Sequence, residues 1–316
     1  MEKRELGKSG IKVTPFCFGG NVFGWTADEK TSFDLLDALI DSGLDFIDTA
    51  DVYSAWVPGN QGGESETIIG NWLKKSGKRD KVIIATKVGS PMGPDRKGLS
   101  KAYITRAVED SLKRLQTDYI DLYQSHRDDQ DTSQAETLQT YADLIKQGKV
   151  RTIGASNFSA ARLKESLEIS KKSGLEVYQT LQPEYNLYDR EGYEKELEPL
   201  CLENRIGVIT YYSLASGFLT GKYRSEDDLS KSQRGGGIKK YLNGRGFRIL
   251  DALDKVAGEY NTTPASVALA WVMARPGITA PIVSATSVKQ LHEITKAVGL
   301  RLSDEALNLL TRASAY

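Results

Sequence analysis

The sequence predicts an α/β protein whose strands close into a (β/α)8 TIM barrel, with an N-terminal β-hairpin and extra C-terminal helices. Three observations carry this. Short apolar or β-branched runs alternate with amphipathic helical windows along the whole chain. Runs that are apolar on both faces belong to parallel sheets covered by helices. Eight such units can be read in the 316 residues, enough to close a barrel rather than leave an open sheet. One domain over 1–316 is expected.

The elements follow in order. Arg4–Leu6 and Ile11–Val13, joined by a turn at Gly7–Gly10, read as the hairpin. The first barrel strand is expected over Val13–Phe18. Its helix is expected over Asp28–Asp41, with Phe33, Leu36, Ala38, Leu39 and Ile40 as apolar face and Ser42-Gly43 as stop. Phe46–Asp48 precedes a helix over Glu64–Lys75, and Val82–Lys87 precedes one over Ser100–Leu115. Ile120–Ser125 is followed by Gln134–Lys146. Val150–Ala155 is followed by Ser159–Lys172, which opens on an N-cap serine. Tyr178–Gln182 leads to a helix over Tyr193–Asn204, and Val208–Tyr211 to a Gly-rich, basic stretch, Ser213–Gly246. Helical windows follow at Phe247–Tyr260 and Pro264–Met273. Pro281–Ser284 is the eighth strand, with helices over Val288–Val298 and Ser303–Ala313.

Composition excludes several classes. Lys+Arg and Asp+Glu are both 42, so there is no basic excess to hold a nucleic acid. Two cysteines, Cys17 and Cys201, lie in apolar runs and support neither a disulfide framework nor a zinc site. The opening MEKRELGKSG lacks the apolar core of a secretory signal, and no apolar run is long enough for a membrane span. A cytoplasmic protein with no metal is expected. The segment after the first strand, Phe18-Gly19-Gly20-Asn21-Val22-Phe23-Gly24, does not match the dinucleotide fingerprint of open α/β sheets. Gly217–Tyr223 is one residue short of a P-loop and ends in tyrosine.

Barrel active sites are built from the C-terminal ends of the strands. The polar residues there are Asp48, with Tyr53 beyond it, then Lys87, His126, Ser156-Asn157, Gln182 and Tyr211. Asp48, Lys87 and His126 recur at a constant interval of 39 residues, one βα repeat. A lysine directly after VIIAT would bury its ammonium unless paired. Together these groups make general-acid equipment. A tyrosine near pKa 10 is a poor acid, and a neighbouring ammonium lowers that value. An aspartate can hold the lysine, and a histidine can orient a carbonyl. None of these side chains donates hydride, so a nicotinamide cofactor is required.

These segments resemble the aldo-keto reductase superfamily. Arg4–Gly10 is similar to its N-terminal hairpin, and Phe46–Tyr53 (FIDTADVY) matches its FxDTAxxY signature, followed by Gly63-Glu64-Ser65-Glu66. Ala85-Thr86-Lys87, Leu122–His126, Ile153–Phe158 and Leu181–Asn186 match further family motifs in order. The resemblance implies Tyr53 as proton donor, Lys87 as the group that depresses its pKa, Asp48 as partner of Lys87, and His126 as the orienting residue. It implies that Ser156, Asn157 and Gln182 bind the carboxamide and that Tyr211 stacks on the nicotinamide. Gly20 and Asn21 are implied near the cofactor. Ser213, Leu214, Ser216, Gly217, Leu219 and Lys222 are implied along its pyrophosphate. Ser284, Thr286, Ser287, Gln290 and Glu293 are implied at its adenosine phosphate, and Gly235-Gly236-Gly237 as a clamp. Against the family pattern, Thr286 replaces a frequent basic residue, Ile294 a frequent asparagine and Ser284 a common glycine. The turn Tyr211-Tyr212-Ser213-Leu214 lacks the usual proline.

The resemblance implies reduction of aldehydes or ketones to alcohols with NADPH, NADH being the other possible donor. Trp25, Trp56 and Arg127, with Tyr53 and His126, are expected to form the substrate pocket, rimmed by the 54–63 and 90–99 loops. Two other readings use the same residues. One is a sugar or polyol dehydrogenase working oxidatively. The other is a cofactor-binding regulatory subunit like potassium-channel β-subunits. An enzyme is the expectation, because no segment beyond the barrel reads as a partner-binding extension.

Overall fold

The computed structural model describes residues 2–231 and 235–316. Strands β1 (Arg4–Glu5) and β2 (Lys12–Val13) pair antiparallel, with Arg4 opposite Val13. The strands that follow are all parallel: β3 (Cys17–Gly19), β4 (Phe46–Asp48), β5 (Ile83–Val88), β6 (Ile120–Ser125), β7 (Val150–Ser156), β8 (Thr180–Gln182), β9 (Gly207–Thr210) and β10 (Ile278–Val283). They hydrogen-bond in chain order, and β10 returns to β3, so the barrel is closed and has no free edge.

The helices wrap the outside: α1 (Glu29–Asp41), α2 (Glu64–Ser76), α3 (Lys101–Leu115), α4 (Gln134–Lys146), α5 (Ala160–Ser173), α6 (Glu191–Glu194), α7 (Leu197–Asn204), α8 (Gly244–Glu259), α9 (Pro264–Ala274), α10 (Val288–Thr295) and α11 (Asp304–Ala313). Their starts are set by side-chain caps. Asp28, Ser100, Ser159, Ser287 and Ser303 each accept a hydrogen bond from a first-turn amide. Their apolar faces pack on the outward residues of the strands, such as Ile47, Ile84, Tyr123, Ile153 and Leu181. None of the described helices is long and apolar enough to cross a membrane.

Strand alternation then decides what fills the lumen. Low in the barrel, Cys17, Phe46, Ala85, Leu122, Ile209 and Ala280 form an apolar floor with Leu6, Ile11 and Val13 of the hairpin. The hairpin is seated by Arg4 Nη1 donating to Ile278 O (2.8 Å) and by Lys8 N donating to Gln179 Oε1 (2.8 Å). Two residues higher on the same faces stand Asp48, Lys87 and Gln124. The polar layer is therefore a direct consequence of period two in the strands.

Several boundaries differ from those read in the sequence. Strand β3 starts at Cys17 because Val13 pairs within the hairpin and Pro15 has no amide to give to a ladder. Strand β10 starts at Ile278, and Pro281 lies inside it, opposite Thr210, beyond a register irregularity between Ile278 and Ala280. Strand β8 starts at Thr180 rather than Tyr178. The helix expected over Tyr193–Asn204 is two helices, α6 and α7. Pro199 cannot continue a helix through the preceding turn. Helix α8 starts earlier than Phe247, because Asn243 accepts from the amides of Arg245 and Gly246. The last turn of the expected Val288–Val298 helix is a 3-10 turn, Lys296–Gly299. In the stretch 213–246, short 3-10 turns occupy Ala215–Thr220, Glu226–Lys231, Gly235–Gly237 and Lys239–Tyr241; residues 232–234 lie outside the described residues. Gly235, expected in a clamp, is buried against Leu229, whose carbonyl oxygen an added Cβ would meet at 1.6 Å.

Two glycine substitutions test the packing. At Gly70 on α2 an added Cβ would meet Arg114 O of α3 at 2.0 Å, so Gly70→Ala is expected to cost about 1–3 kcal/mol. At Gly258, an exposed helical position with open space, Gly→Ala is expected to stabilise by about 0.5–1 kcal/mol. Urea denaturation of the two variants gives both signs; equal midpoints would contradict the packing.

Candidate active site

Asp48 ends β4, Lys87 is the next-to-last residue of β5, and His126 follows β6. Ser156 ends β7, Gln182 ends β8, and Tyr211 follows β9. Closure of the barrel thus gathers residues that are far apart in the chain at one end of the lumen.

The Lys87 side chain is 0 % exposed and that of Asp48 1 %, so neither charge can rely on water. Lys87 Nζ donates to Asp48 Oδ2 (2.7 Å), the Tyr53 hydroxyl (2.8 Å) and Thr49 O (2.9 Å). All three ammonium protons are engaged. The Tyr53 hydroxyl donates to Asp48 Oδ2 (3.1 Å), closing a triangle, and Gln182 Nε2 donates to Asp48 Oδ1 (2.8 Å). Thr49 and Ser65 hydroxyls are 2.8 Å apart, and Ser65 Oγ donates to Gly20 O (2.8 Å), tying the end of β4 to the segment after β3. Behind them Glu66 accepts from Thr86 Oγ1 (2.6 Å) and Arg114 Nε (2.7 Å), which ties α2 to β5 and α3.

Burial first, and the Asp48 carboxylate second, push the Tyr53 phenol well above its ordinary value. The net direction is upward even with the Lys87 ammonium 2.8 Å from the phenol oxygen. The same carboxylate that pairs the lysine also accepts from the phenol and holds its proton. The lysine's effect falls on the phenolate left after transfer, whose oxygen lies 2.8 Å from the ammonium. For His126, burial and the charges of Lys87 and Arg127 hold the imidazole well below its ordinary value, so it is neutral near pH 7. Its ring stands edge-on to Tyr53, centroids 6.0 Å apart.

Beside this centre, Asn157 adopts a left-handed backbone (φ 58°) and links three strand ends. Its Nδ2 donates to His126 O (2.9 Å) and Ser156 Oγ (3.0 Å), and its Oδ1 accepts from the Tyr211 hydroxyl (2.8 Å). Ser156 Oγ donates to Gln182 O (2.9 Å). Tyr53, Trp56 and Trp25 form a row of edge contacts, with centroids 6.1 and 5.7 Å apart, and Trp56 is half exposed at the mouth.

After β9 the backbone is left-handed at Tyr212, Ala215, Ser216 and Gly217. The Ala215 and Gly217 amides close turns onto Tyr212 O (2.6 Å) and Leu214 O (2.9 Å), which curl the chain tightly at Ser216-Gly217. An added Cβ at Gly217 would stand 3.9 Å from the Lys222 ammonium, so bare backbone lies beside a cation. Lys222 has no carboxylate within 4 Å among the described residues. These features fit a pyrophosphate. Ser213 and Leu219, expected along the same strip, have side chains buried in the core, leaving only their backbone to face it. Ser284 donates to Asn21 (2.6 Å), Thr286 donates to Gln290 Oε1 (2.9 Å from N, 3.0 Å from Oγ1), and Ser287 caps α10.

The aldo/keto reductase family model matches residues 15–315. The chain belongs to the aldo/keto reductase family. It is 38 % identical to the oxidoreductase YrpG of Bacillus subtilis, over 98 % of this chain and 95 % of that protein. It is 35 % identical to the aldo-keto reductase YhdN of the same organism, over 96 % and 91 %. It is likewise 35 % identical to a probable voltage-gated potassium channel subunit beta of Arabidopsis thaliana, over 94 % and 91 %. Membership makes this chain a carbonyl-reducing oxidoreductase, of a family that generally uses nicotinamide cofactors.

Sequence reasoning overlooked Thr49 and Tyr212 and gave Gln182 only one of its contacts. Thr49 acts through its carbonyl, which no sequence pattern announces. Gln182 was expected only at the carboxamide, yet its amide donates to Asp48. Tyr212, half exposed and in edge contact with Tyr211 (5.3 Å), stands at the mouth on a left-handed backbone.

A titration follows from His126. Its folded-state pKa is depressed, so below the unfolded value of about 6.5 the unfolded chain binds a proton that the folded chain does not. Its contribution to stability is full above that value and is lost as pH falls, by at most about 1.4 kcal/mol per pH unit. Melting curves from pH 8 to 5 are expected to show a steeper acid loss for wild type than for His126→Gln. Parallel curves would contradict a neutral, desolvated imidazole.

Proposed function

We propose that this protein reduces aldehydes or ketones to alcohols, with NADPH as hydride donor and Tyr53 as proton donor. The observation that carries the reading is the buried Lys87 ammonium, bonded at once to Asp48 and to the Tyr53 hydroxyl. A reduced nicotinamide, when bound, supplies the hydride that no side chain here can give.

Tyr53 is kept protonated by burial and by Asp48, so its proton is present at neutral pH. It passes to a carbonyl oxygen when the hydroxyl swings off Asp48. Lys87 then faces a phenolate at its own hydrogen-bond distance, which stabilises the charge where it develops. Asp48 holds Lys87 in place, and Gln182 fixes the second carboxylate oxygen. Neutral His126 gives the carbonyl a ring N–H and orients it without bringing a second cation beside Lys87. Ser156, Asn157 and the Oε1 of Gln182 would hold the carboxamide, and Tyr211 would offer a ring face. Gly20, Asn21, Ser216, Gly217 and Lys222, with the backbone of Ser213, Leu214 and Leu219, would line the pyrophosphate. Ser284, Thr286, Ser287, Gln290 and Glu293 would hold the adenosine end. Trp25 and Trp56 would form the apolar wall for substrate.

The test is Tyr53→Phe with 4-nitrobenzaldehyde and NADPH. Loss of one general acid is expected to cut kcat by about 10²–10⁴, with cofactor affinity near wild type. Undiminished turnover would overturn the assignment. A regulatory, cofactor-binding role is the second reading, suggested by the likeness to a protein named as a potassium channel subunit. Tight NADPH binding with no turnover across a panel of aldehydes and ketones would favour it.

The nucleotide preference is a separate expectation. At the adenosine end, where the two nucleotides differ, the α10 N-terminus offers amides to a phosphate, whereas Thr286 brings no charge. NADPH is expected to exceed NADH in kcat/KM, and a tenfold preference for NADH would reverse the proposal.

A further inference from the structure

The mouth of the site has walls of unlike chemistry. Trp25 and Trp56, from the segments after β3 and β4, make an apolar wall that runs to the Tyr53 ring. Arg127 comes from the segment after β6, next to His126, and is exposed. Among the described residues no carboxylate lies within 4 Å of its guanidinium. The adjacent acid, Asp128, does not neutralise it, because both Asp128 oxygens are taken by Arg162 Nε (2.9 Å) and Nη2 (3.0 Å). Arg127 stands at the mouth by its place in the chain: the carbonyl of the preceding His126 accepts from Asn157, which in turn accepts from the Tyr211 hydroxyl, and the Arg127 charge acts on both His126 and Tyr211. Glu184, the carboxylate that also acts on Tyr211, has Lys240 within 3.9 Å.

A guanidinium with no carboxylate partner among the described residues, carried on the segment next to His126, is a receptor for an anionic substituent on the substrate. A carbonyl held at Tyr53 and His126 leaves its apolar body against the tryptophans and any distal charge toward the rim. We infer that Arg127 makes the protein selective for carbonyl compounds that carry a carboxylate on an aromatic or apolar body. This inference rests on the carbonyl-reductase reading and names the substrate class within it. Arg127 is a specificity residue here, with no part in hydride or proton transfer.

The experiment compares 4-carboxybenzaldehyde with its neutral ester, methyl 4-formylbenzoate, as the ratio of their kcat/KM values. The intrinsic reactivity difference of the two aldehydes is common to all variants, and a general loss of activity does not move the ratio. Replacing Arg127 by glutamine is expected to lower the ratio of charged to neutral substrate by about tenfold, the scale of one charge-assisted contact. Arg127→Lys should recover part of it. In wild type, raising salt to about 0.5 M should lower the ratio, since an exposed cation is screened. A ratio that Arg127→Gln leaves within about twofold of wild type overturns the inference while the carbonyl-reductase reading stands. A tenfold rise in NADPH Kd in that variant, read by nicotinamide fluorescence, also overturns it, by assigning Arg127 to the cofactor. No turnover of either aldehyde removes the parent reading and this one with it.

Discussion

A charged amine with no exposure to water is the constraint on which the rest of the structure depends. Lys87 lies inside the barrel, where an unpaired ammonium would be several kcal/mol out of balance. The fold answers with one carboxylate, one phenol and one backbone carbonyl, all within 2.9 Å. Each of these comes from the short segment Asp48–Tyr53, so the geometry is fixed by how that segment leaves β4. Ser65 braces its Thr49, and Gln182 locks the far side of its carboxylate. The chemistry and the stability of the mouth are therefore one network, and a change in any member disturbs both.

Much of this was legible in the sequence. Apolar runs bounded by Gly and capping residues mark the barrel strands, and the constant interval between Asp48, Lys87 and His126 marks one end of the lumen. What was not legible has physical reasons. Pro199 breaks a helix whose apolar pattern runs on through it, and Pro281 sits within a strand because a register irregularity accommodates it. The upward shift of the Tyr53 phenol was not legible, because it comes chiefly from burial, which depends on how the site closes around the ring. The amide of Gln182 could not be assigned to Asp48, since the two are 134 residues apart and meet only when the barrel closes.

The strip after β9 shows a different limit. Left-handed backbone at Tyr212, Ala215 and Ser216 is unfavourable for residues that carry a Cβ. Such strain persists where surrounding structure imposes it. Here Ser213 and Leu219 anchor the strip through buried side chains, and backbone hydrogen bonds onto Tyr212 O and Leu214 O close the turns between them. A sequence reader sees only an ordinary Ser-Gly pair and a lysine. The bare backbone beside the Lys222 ammonium arises from the conformation of the connecting turn.

The hairpin has a wider consequence. By corking the lower end with Leu6, Ile11 and Val13, it shuts that route into the cylinder. Whatever meets the ammonium therefore arrives over the strand ends at the opposite rim, where loops can change without disturbing the plug.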